Sequence, residues 1–137
     1  MKAIRKNKKN IFLAFFLITF FSMICCNPIF YKKHLTGIFY LIACDGEEEM
    51  SIQGNLVVVN ATVFAVGYDN DFIIAKQHPR EFTKPIDKSI TNYYIISIND
   101  YCDEAIGPLT LEQFNKKRKA LNVSDSIKFT IEFEKLK

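Results

Sequence analysis

Over residues 127–134 apolar and polar side chains alternate without a break, Ile127, Phe129, Ile131 and Phe133 against Lys128, Thr130, Glu132 and Glu134. Successive strand residues point to opposite faces, so this spacing predicts a strand with one face in a core and one in water. Upstream the period lengthens. Thr110-Leu111-Glu112-Gln113 has the form of a capping box, in which the Thr hydroxyl accepts from a free backbone N–H and the Gln side chain reaches back to the cap. A helix is expected to follow over residues 111–121, with Leu111, Phe114 and Leu121 on its apolar face beside the stem of Arg118. Lys116, Lys117 and Lys119 then lie toward solvent or the helix end, where cations complement the dipole.

Earlier segments read as strands. Residues 37–44 (GIFYLIAC) are apolar and aromatic and stop at Asp45-Gly46, a turn signal with Glu47, Glu48 and Glu49 behind it. Residues 56–59 and 61–66 are rich in β-branched side chains, and residues 67–71 (GYDND) form a hairpin loop into residues 72–76 (FIIAK). Residues 93–98 (YYIISI) add another strand, while residues 78–88, with two prolines and five charged residues, read as a surface loop. The fold class that follows is α+β with β dominant: an antiparallel sheet of five to seven strands, one C-terminal helix packed on it, and a signal segment in front.

That signal segment is the apolar run of residues 11–24 (IFLAFFLITFFSMI), preceded by Lys2, Arg5, Lys6, Lys8 and Lys9. A cationic start followed by a short apolar stretch is the order of a secretory signal. Fourteen helical residues span about 21 Å, short of the ~30 Å hydrocarbon core. A single-pass signal anchor is therefore the weaker alternative. The run ends at Cys25-Cys26, and Met23-Ile24-Cys25-Cys26 resembles a bacterial lipobox, although Met23 replaces the usual Leu and Cys25 the usual small residue. The resemblance implies that Cys26, with Cys25 as the alternative, carries fatty acyl groups such as palmitate. Residues 1–25 are then a lipoprotein signal peptide, residues 26–35 a tether, and residues 36–137 one exported globular domain. The expected location is the cell envelope, on the outer side of the cytoplasmic membrane or on an outer membrane, and the membrane itself is the first partner implied.

Charge changes the picture once the leader is set aside. The whole chain carries a formal +3, but without the five leader cations thirteen Lys and Arg face fifteen Asp and Glu. A folded domain of that balance has no basic footprint for nucleic acid, so no nucleic-acid partner is expected. Cys44 and Cys102 are the remaining cysteines. Outside the cytoplasm they would either form a disulfide or stay as two buried thiols. With two histidines, His34 and His78, and no CxxC pair, no metal site and no cofactor are expected.

No catalytic constellation is visible. His78 precedes Pro79 among charged residues and reads as a surface imidazole, and Asp69 and Asp71 as turn formers. Tyr68 to Gln77, Tyr93-Tyr94-Ile95-Ile96, and Gly107-Pro108-Leu109-Thr110 with Phe114 and Arg118 together resemble a family of small bacterial lipoproteins known only as a domain of unknown function. The resemblance covers most of residues 36–130 and implies no particular activity; its motifs are a hairpin strand, an aromatic strand and a Gly-Pro turn feeding a capped helix. The expected function is a lipid-anchored binding or interaction module whose protein partner is unknown. The alternative is an envelope hydrolase with a site built from dispersed residues such as His78 and Asp69.

Overall fold

The computed structural model describes residues 29–81, 83–99 and 104–136. Among them nine strands form two antiparallel sheets. The first contains β1 (Tyr31–His34), β2 (Tyr40–Ala43), β3 (Ser51–Gln53) and β4 (Val57–Val59), in that order. The second contains β5 (Val63–Tyr68), β6 (Phe72–Gln77), β7 (Asn92–Ser97), β8 (Ala105–Leu109) and β9 (Ile131–Glu132), in the order β8-β7-β6-β5-β9. Among the described residues one α-helix, α1 (Leu111–Ala120), packs on the second sheet. The β-dominant α+β class with one packed helix is thus what the chain adopts, its strands divided between two sheets.

Residues paired across an antiparallel ladder point to the same face, so the register assigns the layers. Val66 pairs with Ala75 and Ala75 with Tyr94, while Ile73 pairs with Ile96. This face meets Leu41, Ala43, Ile52 and Val59 of the first sheet in the main core. The opposite face carries Ile74 and Ile95, which pack with Phe114, Val123 and Ile127. The result is three layers: sheet, sheet and helix. β5 and β6 are covered from both sides, which accounts for the apolar runs over residues 63–66 of β5 and 72–75 of β6.

α1 starts where its cap predicts. Thr110 Oγ1 accepts from the Gln113 backbone N–H at 3.3 Å, and Gln113 Oε1 accepts from the Thr110 N–H at 2.9 Å. The buried face is narrower than expected. Phe114 meets Tyr93 at 5.1 Å and Phe129 at 6.4 Å between ring centroids, whereas Leu111 stays 54% exposed. Ten residues lying over the β7–β8 edge reach the sheet through one aromatic, and Arg118 folds across that ring to donate to the Ser124 carbonyl at 2.6 Å.

Three strands were not expected, β1, β3 and β8. β1 lies within residues 26–35, the expected tether, where Tyr31 sets its ring edge-on to Phe133 at 5.7 Å. Its polar sequence YKKH suits a sheet edge, because exposed lysines discourage pairing with other chains. Gly107-Pro108, expected as a turn, lies inside the edge strand β8 and is joined by a cis peptide bond. Pro is tolerated there because an edge strand leaves one row of N–H groups unused. Gly107 is needed because a Cβ would come within 2.8 Å of the Tyr93 carbonyl and strike the Tyr94 ring. The alternation over residues 127–134 is present in the burial pattern, but only Ile131 and Glu132 form ladder pairs, with Val66 and Ala65.

Candidate functional site

The end of β6 and the start of β5 are locked together by polar groups. Thr62 lies just before β5 with φ at 78°, a region that a β-branched residue rarely enters, and its buried hydroxyl rests against the carbonyls of Ala61 and His78. The His78 N–H donates back to the Thr62 carbonyl at 3.3 Å. This clasp fixes the carbonyls of Asn60 and Ala61 beside Gln77. Gln77 shares a face with Ala75, two residues earlier, and so turns toward the first sheet.

Gln77 is buried and uses its whole amide. Nε2 donates to the carbonyls of Asn60 at 3.1 Å and Ala61 at 3.0 Å. Oε1 accepts from the Tyr94 hydroxyl at 2.9 Å and from Asn92 Nδ2 at 3.5 Å. Asn92 is the ladder partner of Gln77, and Tyr94 stands two residues farther along the same face of β7. Burial pushes the Tyr94 phenol above its ordinary 10.0.

Above this floor lies an open cleft of about 580 Å³, lined by Glu49, Asn60, Ala61, Gln77, Pro79, Arg80, Asn92 and Tyr94. Its volume lies within the range of small-molecule sites. Among the described residues the charges at its wall are one of each sign. Arg80 Nη1 and Glu49 Oε1 are 2.5 Å apart, and both side chains remain partly exposed. Glu49 comes from a 3-10 turn (Glu47–Glu49), and Arg80 follows β6 on the long connection to β7. On that connection Asp87 accepts from the Ser89 hydroxyl and from its N–H, which holds the Asp87 carboxyl below the usual carboxylate value.

His78 is not a surface imidazole: the residue is 3% exposed. It stacks on Phe64 at 4.2 Å, and Nδ1 is 2.8 Å from the Ile90 carbonyl, which fixes Nδ1 as the protonated nitrogen. Nε2 is buried and has no hydrogen-bond partner among the described residues. The neighbouring Pro79 and the charges beyond it suggested a surface position, but the Phe64 ring and the fold-back at Ile90 cover the side chain. Asp69 is far away. It precedes β6 and caps the hairpin, with Oδ1 accepting from the N–H groups of Asp71 and Phe72 at 2.9 and 2.8 Å. His78 follows β6, so the length of a six-residue strand, about 20 Å, separates the two.

Cys44 is exposed at the end of β2. Cys26 and Cys102, the other residues named for lipidation and for a disulfide, lie outside the described residues. Among the described residues no group of three or more His, Cys, Asp or Glu is placed to hold a metal ion. Nor, among them, is any helix long and apolar enough to cross a membrane. Sequence reasoning missed Gln77, Asn92 and Arg80. The first two lie at the far ends of β6 and β7, where a polar pair facing inward is legible only once the register is known.

Fold and cleft together define a small two-sheet domain, helix-backed, with a polar recess beside its core. Residues 37–136 match the family described as "Protein of unknown function (DUF3997)", and the chain belongs to that family. No curated protein and no solved structure matches it.

Proposed function

We propose that the protein is an exported lipoprotein, anchored through acyl groups on Cys26, whose domain works as a binding module through the cleft above Gln77. The observation that carries the binding reading is the state of that floor. Every hydrogen-bonding group of the Gln77 amide is already engaged, so the floor is rigid before anything arrives, and preorganised polar sites lose little on binding. The anchoring reading rests on the order of the leader, five cations, a fourteen-residue apolar run and Cys26 at its end. Several acyl chains at about 0.8 kcal/mol per buried CH₂ would hold the domain on its membrane permanently, which one chain would not.

Intact mass and membrane fractionation test the anchor together. The wild-type chain is expected in the membrane fraction, shortened by residues 1–25 and heavier by diacylglycerol and fatty acid. Cys26→Ser is expected to lose that added mass and to leave the membrane or retain its leader. Wild type that is trimmed without gaining acyl mass would refute the anchor.

A further inference from the structure

We infer that the cleft above Gln77 takes a small zwitterion with its ammonium and carboxylate on one carbon, the chemical class of the free α-amino acids; this deepens the binding-module reading and rests on it. The argument starts from charge. Among the described residues the lining holds one cation and one anion, Arg80 and Glu49, in contact with each other at 2.5 Å. A lone anion drawn to Arg80 would have to displace Glu49 and leave its carboxylate unpaired, and a lone cation would do the same to Arg80. A zwitterion inserted between them replaces one ion pair by two. The exchange is cheap, because a partly exposed pair of this kind is worth only about 0–1 kcal/mol.

The rest of the lining suits the remainder of such a molecule. Gln77 has nothing left to offer a ligand and serves as the floor. Asn92 spends one amide N–H on Gln77, and its other amide groups, with the Asn60 side chain, supply neutral donors and acceptors at the cleft wall. Pro79, Ala61 and the Tyr94 ring give an apolar side chain something to lie against. A cleft of about 580 Å³ has room for an α-amino acid of any size, or for two residues joined.

The test titrates the full-length, detergent-extracted protein with glycine, acetate, methylammonium and acetamide, following the backbone amides of Arg80 and Glu49 by NMR. Glycine is expected to bind and to shift both amides, with acetate and methylammonium each at least about tenfold weaker, the loss of one charge-assisted hydrogen-bonding group. Arg80→Gln and Glu49→Gln are each expected to weaken glycine by about tenfold on the same grounds. Both side chains are solvent-facing, so both variants should fold, and a thermal melt beside each titration checks this. Acetate or acetamide binding as tightly as glycine would overturn the assignment while leaving the cleft as a site for other ligands. Glycine binding unchanged in both variants, or no binding of any of the four, would overturn it as well. Membrane fractionation reads the anchor separately, so the two failures are distinguishable.

Discussion

Gln77 joins the Asn60-Ala61 turn to β7 through four hydrogen bonds. Gln77→Ala leaves two carbonyls and the Tyr94 hydroxyl without their partner, and should cost about 2–4 kcal/mol in urea denaturation. Tyr94→Phe removes one bond and should cost about 1 kcal/mol. A comparable loss from both variants would show that the amide is not the hub. The raised Tyr94 phenol makes a second prediction. An unfolded tyrosine releases its proton near 10.0, while the folded one holds it longer. The Tyr94 contribution is therefore complete below pH 10 and declines as the pH climbs through the folded value. Phenolate absorbance should show a late-titrating component, and Tyr94→Phe should remove it. None of this was legible in the sequence, because Gln77, Asn92 and Tyr94 become neighbours only through register. His78 was misread for a related reason: what buries it, Phe64, is fourteen residues away along the chain.

Elements built from local signals were read well, and those built from distant pairing were not. The helix has its cap, its first turn and its basic end within a dozen residues, and it forms at Leu111–Ala120. Thr110→Ala should destabilise the domain by about 1 kcal/mol, with helical circular dichroism lost ahead of the β signal. Phe114→Ala removes the ring by which the helix grips the sheet and should cost about 3–5 kcal/mol. If Leu111→Ala, at the exposed first turn, cost as much, the helix would not be held through Phe114 alone. β1 and β3 escaped notice because four and three residues are too few to show a period. β8 escaped because Gly107-Pro108 reads as a turn, and only the Tyr93-Tyr94 backbone and ring beside it explain the glycine. Gly67→Ala should be worse than Gly107→Ala, since the nearest obstacle to the added carbon is the Lys128 backbone carbonyl at Gly67 but the Tyr94 ring at Gly107, where the Tyr93 carbonyl lies farther off, and backbone yields less than a side chain. Equal urea midpoints for the two would contradict that ranking.

At the scale of the molecule, the β-dominant class was legible because alternation and β-branched runs report strands directly. The division into two sheets was not, since it depends on which edges stay unpaired. The first sheet has strands of three and four residues against five and six in β5 to β8. The ends of β6 and β7, where Gln77 and Asn92 pair, line the cleft.

The central place of β6 has a kinetic corollary. It is third of five in its sheet, with a second sheet on one side and the helix layer on the other. Solvent can reach the amides of Ile73, Ile74 and Ala75 only when the whole domain opens, whereas β1 can fray alone. In heavy water these three protons should be the last to disappear, and their lifetimes should report the global unfolding free energy.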